Sequence, residues 1–241
     1  MLSHMGHRWT HAPLLACITM LAGCTATPTG LTPVVPAAPG LATQATPVPA
    51  ATTRYRVDPA ASTLHILVYR GGPMARLGHN HVVSSRNLQG RVWQGAALED
   101  SGFDITVPVN DLVVDDNAAR AAEGADFPLN ISEDAKQGTK ANMLRDTLLD
   151  GARYPEIRIT SVHVQGDTKA PVVTAALRIK DQTRQVTLPV TLQTIGQGLQ
   201  VTGSFAIRQS DFGMTPLSIA MGALLVVDTV HIKFVLVTNS E

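Results

Sequence analysis

Cysteine is nearly absent: the chain has two in 241 residues, Cys17 and Cys24. From Thr25 onward there is none, so the folded part can hold neither a disulfide nor a thiolate metal site and must be stable through packing alone. Aromatic residues are scarce as well, with five Phe, three Tyr and two Trp, so the apolar content is mostly aliphatic. Neither sign of charge is in excess. Setting aside Arg8, 18 Lys and Arg face 19 Asp and Glu, a balance of minus one without long runs. That balance argues against a nucleic-acid partner. The apolar run at residues 13–23 (PLLACITMLAG) is too short to cross a bilayer as a stable helix. No Ser/His/Asp set or pair of carboxylates stands out, and Gly71-Gly72 is a turn with no Lys-Ser or Lys-Thr helix start behind it, so it is no phosphate loop. An enzyme is not expected.

What the N-terminus does contain is Leu21-Ala22-Gly23-Cys24, which closes the short apolar run and matches the bacterial lipobox in order and position. Residues 1–23 are therefore expected to be a lipoprotein signal peptide, with Cys24 the lipidated first residue of the mature chain. Residues 25–53 carry no charge and six prolines among 29 positions, which excludes a core. At roughly 3.1 Å per residue such a tether reaches on the order of 90 Å. The expected organisation is signal peptide 1–23, lipidated N-terminus and tether 24–53, and a single folded domain 54–241. Export places that domain in the bacterial cell envelope. With Thr25 rather than Asp after the cysteine, it is expected on the periplasmic side of the outer membrane if the cell is Gram-negative.

Period-two alternation runs through the domain. Leu64, Ile66 and Val68 share one face, Phe103, Ile105 and Val107 another, Leu177 and Ile179 a third, and Phe205 and Ile207 a fourth. Near the C-terminus Val230, Ile232 and Phe234 alternate with Thr229, His231 and Lys233. Strands are expected at these places and over residues 79–93, 156–164, 184–195, 199–208 and 224–237, some eight or nine in all, which suits an antiparallel sandwich or barrel. One interval differs. Between residues 111 and 155, Asn130 and Glu133 form a capping-box pattern and residues 136–149 have helical spacing, predicting a helix with room to lie over a barrel mouth.

Several phrases in order carry a resemblance: Val57-Asp58-Pro59-Ala60-Ala61-Ser62; Tyr154-Pro155-Glu156-Ile157; the stretch 176–190 (ALRIKDQTRQVTLPV); Phe205-Ala206-Ile207-Arg208-Gln209-Ser210-Asp211-Phe212-Gly213; and Val227-Asp228-Thr229-Val230-His231-Ile232. Together they resemble the YceI-like family of exported lipid-binding proteins over nearly all of residues 54–241. The resemblance implies an all-β domain with a short helical excursion, an eight-stranded antiparallel lipocalin-like barrel. It also implies a polyisoprenoid-type lipid or isoprenoid quinone as the bound molecule, with no catalytic residues and no required cofactor. This chain departs from the family pattern at Arg70, where a histidine is usual, at Asp181, where glycine is frequent, and in the longer loop 70–81.

On this reading the inward residues named above are candidates to line the lipid. The same aliphatic side chains equally suit a dry, filled core. Arg208 and Asp211 are expected to pair before Phe212, Gly213 to supply a positive φ or a close backbone approach, and Asp228 to anchor a loop to a strand. His79 and His81 lie two apart, so in an extended segment both rings share a face. They could hold a metal together with His65 or His163, hydrogen-bond the backbone, or meet a polar headgroup beside Arg70 at the barrel mouth.

Overall fold

The computed structural model describes residues 53–241. Cys24, the expected signal segment and all but the end of the tether lie outside the described residues. Twelve strands form: β1 (Thr53–Val57), β2 (Thr63–Gly71), β3 (His81–Ser85), β4 (Gln89–Gln94), β5 (Gly102–Pro108), β6 (Val113–Val114), β7 (Glu156–Gly166), β8 (Pro171–Ile179), β9 (Gln182–Ile195), β10 (Gly198–Arg208), β11 (Ser218–Ile219) and β12 (Leu224–Ser240). Two helices, α1 (Asn117–Glu123) and α2 (Glu133–Met143), fall between β6 and β7.

Eleven of the strands occupy eight positions of a closed antiparallel barrel, and the two-residue β11 pairs only with the start of β12. β7, β8, β9, β10 and β12 each fill one, and each of the other three is shared by two consecutive strands. β1 and β2 run one after the other along β12, with Val57 opposite Thr238 and Thr63 opposite Val235. β4 pairs with β1 and β3 with β2, and on their far side β5 pairs with β4 and β6 with β3. β5 then meets β7, which completes the circuit.

Local chemistry marks the first two interruptions. After β1, the Asp58 carboxylate accepts from the amides of Ala60 (2.9 Å) and Ala61 (3.2 Å), a side-chain turn that breaks the ladder. Ser62 then rejoins the chain to β12 by accepting from the Val237 amide at 2.9 Å. The single strand expected over residues 79–93 is accordingly two, broken at residues 86–88, where the buried Leu88 turns inward.

The helical interval also differs from expectation. α2 begins behind Ser132, not Asn130, because the Ser132 hydroxyl stands one residue before the helix and accepts from the Ala135 amide at 3.3 Å. It ends at Met143, six residues early. The chain then turns back, with the Leu149 amide on the Met143 carbonyl at 3.1 Å, and Leu148 and Leu149 pack against the barrel core. α1 was not expected. Asp116 caps it by accepting from the Ala119 amide at 3.0 Å, and Gly124 (φ +83°) ends it. Behind it Phe127 joins Leu67, Val82 and Ala119 in a small second core on the outside of the barrel, against Tyr69. Among the described residues no helix is long and apolar enough to cross a membrane.

Candidate functional site

Alternation along the strands sends one set of side chains inward, and inside the barrel they leave two apolar lobes of about 160 and 120 Å³. Leu64, Val107, Ile159, Phe205 and Ile232 line both and form a waist between the lobes. The larger lobe lies toward Trp93, Phe103 and Phe234. The smaller is closed by Met143, Leu148 and Leu149 from the helical interval and by Met214. All of the inward residues picked from the sequence line one lobe or the other: Phe103, Ile105 and Phe234 the larger, Ile66, Val68, Leu177, Ile179, Ile207 and Val230 the smaller, and Leu64, Val107, Phe205 and Ile232 both. Polar side chains in the two linings are few: Gln94, Ser101 and the Trp93 indole in one, Gln209 in the other. A cavity of roughly 150 Å³ lined by Leu, Ile and Phe stays dry and takes up apolar guests.

One step beyond Val68, at the rim of the smaller lobe, the surroundings turn polar. His81 pairs with Val68 across the β2–β3 ladder, and its Nδ1 lies 2.7 Å from Asp115 Oδ2. Asp115 Oδ1 accepts from the Val82 amide at 2.9 Å and from the Arg120 guanidinium. Both Asp115 and Arg120 are fully buried. Arg120 also donates to the carbonyls of Pro128 (2.7 Å) and Asn80 (2.8 Å). Burial alone would raise the Asp115 carboxyl, but the hydrogen bonds from His81, Val82 and Arg120 and the His81 charge outweigh it and hold it below the ordinary carboxylate range. Burial pushes the His79 imidazole down, and the neighbouring His81 adds to this. Two buried nitrogens of the cluster, His79 Nε2 and Arg120 Nη2, have no hydrogen-bond partner.

His79, His81 and Asp115 offer ligand atoms within 4.8 Å of one another, the number an open zinc site uses. The third member is thus Asp115 and neither of the histidines expected from the sequence. His65 pairs with Glu123 at 2.7 Å on the outer face, and His163 meets Gln165 at 3.1 Å. Arg120 already neutralises the Asp115 carboxylate, and Arg70 stands close enough to depress the His79 imidazole further. A divalent cation there would meet two guanidinium charges with a single carboxylate to offset them, so the electrostatics suit an oxygen acceptor better. Arg70 itself is exposed, its guanidinium donating to the Gly78 carbonyl and its amide to Asn80 Oδ1 at 3.1 Å. Sequence reasoning did not find Asp115 and Arg120. The only local signal was an Asp cap before an alanine-rich stretch.

The remaining residues singled out from the sequence form a corner. Arg208 and Asp211 make a two-point ion pair at 2.7 and 3.1 Å, Phe212 is buried, and Gly213 takes φ +68°. Asp228 lies in β12 at the bulge between Val226 and Val230 and accepts from the Ser210 amide (2.8 Å) and hydroxyl (2.6 Å), which ties the corner to the strand. The bulge turns its carboxylate toward the corner.

The profile of one protein family, that of the YceI-like domain, matches residues 55–238. The chain belongs to the YceI-like family. Among solved structures, this YceI-like barrel is similar to BcnA of Burkholderia cenocepacia, at 20% identity and a TM-score of 0.56 over 75% of this chain and 98% of that one. A weaker likeness, 13% identity and a TM-score of 0.44 over 64% and 81% of the two chains, links it to the Campylobacter jejuni YCEI protein. A comparison with curated proteins finds no match.

Proposed function

We propose that this YceI-like protein is an exported, lipid-anchored binding protein that holds a polyisoprenoid-type lipid or an isoprenoid quinone in its barrel, for carriage or sequestration in the periplasm. The observation that carries the reading is the pair of adjacent lobes, lined almost wholly by aliphatic and phenyl side chains. A slim branched chain gains from leaving water roughly in proportion to the apolar area it buries there. Its polar head belongs at the rim, where Arg70, His79 and His81 stand. The domain of residues 54–241 does the binding, the tether 24–53 gives it reach, and the acyl group on Cys24 holds it at the outer membrane.

Native mass spectrometry of the mature chain, purified in mild detergent, tests this. The expected spectrum shows a co-purified isoprenoid, or a one-to-one adduct after reloading with a polyprenol or ubiquinone. A chain that emerges empty and takes up neither would refute the proposal.

A further inference from the structure

The loop joining β2 to β3 and the hairpin joining β11 to β12 form a single tip at one end of the barrel. The Met74 amide donates to the Ala223 carbonyl at 2.7 Å. Gly72, at φ +87°, passes so close to the hairpin that a Cβ there would lie 2.4 Å from the Gly222 carbonyl oxygen. The two segments are therefore built as one unit. At the hairpin's apex Ala220, Met221 and Gly222 all have positive φ, a costly conformation for the two that carry a Cβ, and it thrusts Met221 outward.

Five of the nine large apolar side chains exposed among the described residues gather on this tip: Met74 (43%), Leu77 (61%), Leu217 (51%), Ile219 (48%) and Met221 (106%). That concentration calls for a partner. Neither of the two stretches that build it, residues 70–79 and 214–227, contains an Asp or Glu, while Arg70 and Arg76 are both present and exposed. Apolar side chains with flanking cations and no acid complement an anionic lipid surface. A second copy of the chain suits the tip less well, because it would bring the same cations face to face. A stable dimer also needs about 800 Å² from each partner, and this is a narrow projection.

We propose that the tip inserts its apolar side chains into the interfacial layer of an anionic bilayer. β12 runs from the tip to the end of the barrel where β1 begins, so the first described residues lie at the opposite end from the tip. The rim with Arg70, His79 and His81 lies at the tip end. If the lipid-carrier reading holds, docking there brings the rim to the bilayer surface, but the insertion itself does not depend on that reading.

The test uses the mature chain from residue 24 with Cys24→Ser, so that no acyl group contributes. Co-sedimentation is measured with phosphatidylethanolamine vesicles containing phosphatidylglycerol, and with phosphatidylcholine vesicles. Binding to the anionic vesicles is expected to weaken at least about tenfold in the Leu77→Ser, Met221→Ser double variant. It should weaken about fivefold in Arg76→Gln, which should leave the phosphatidylcholine result unchanged. Because these side chains are exposed, thermal unfolding of the variants should match the parent. The proposal is overturned if the parent binds neither vesicle, or if the double variant binds as the parent does. It is equally overturned if the parent is a dimer that the double variant dissociates. The vesicles contain no isoprenoid, so failure here leaves the ligand reading standing, and an empty barrel in mass spectrometry leaves membrane docking standing.

Discussion

Phe205 divides the cavity, and truncating it to alanine separates the two roles its ring can have. It is 8% exposed, sits opposite Ile232 in the β10–β12 ladder and lines both lobes. Replacing a packed Phe with Ala costs about 3–5 kcal/mol, partly for the hydrocarbon removed and partly at roughly 24 cal/mol for each Å³ of cavity left behind. Space already lies on either side of this ring, so fewer contacts are lost and the low end, about 3 kcal/mol, applies. For a domain of this size that lowers the unfolding midpoint by roughly 6–12 °C. Ligand at about 100 times its Kd adds roughly 2.7 kcal/mol, or about 5–11 °C, to the native protein. In the Phe205→Ala variant that gain should persist or grow, because truncation opens the waist without removing the rest of the lining. The assay is thermal unfolding of delipidated protein with and without saturating polyprenol, supported by urea midpoints. A loss below about 1 kcal/mol in the ligand-free variant would show that the ring is not packed. Disappearance of the ligand-induced rise would show that Phe205 holds the ligand rather than dividing the space.

Arg120→Met breaks a buried ion pair, which costs about 3–5 kcal/mol. His81 and Val82 still satisfy Asp115, so a fall of about 6–12 °C in the unfolding midpoint is expected, and a change under about 2 °C would mean the pair contributes little. Stability should fall on acidification. His79 and His231, both depressed by burial, stay neutral in the fold while the unfolded chain takes up protons below their ordinary 6.5, so their contribution is complete above that pH and declines below it. Asp115 and Glu123, held below 3.8 and 4.5, lose theirs at lower pH still. Midpoints measured from pH 8 to 4 check this, and a rise between pH 7 and 5 would contradict it. Cys24→Ser should release the protein from the membrane fraction or strand an unprocessed precursor, and a palmitate analogue should label only the parent. An unlabelled parent with the same distribution as the variant would remove the anchor from the proposal.

The barrel could be read from the chain because its signal is local. In a closed sheet every second side chain faces in, so Leu64-Ile66-Val68 and Val230-Ile232-Phe234 reveal their inward faces within five residues, and the Phe212-Gly213 corner needs only its own φ. Other features depend on closure. The splitting of one strand position into β1 and β2 rests on Asp58 folding onto its own backbone and on Ser62 finding Val237, 175 residues away. The rim is assembled from His79 and His81 on one segment and Asp115 and Arg120 on another. No periodicity links them, because an ion pair forms wherever the sheet happens to bring two charges together. Whether the aliphatic interior is filled or hollow is not local either. It depends on the sum of inward volumes against the bore of an eight-stranded barrel, and here the side chains leave two lobes on either side of Phe205.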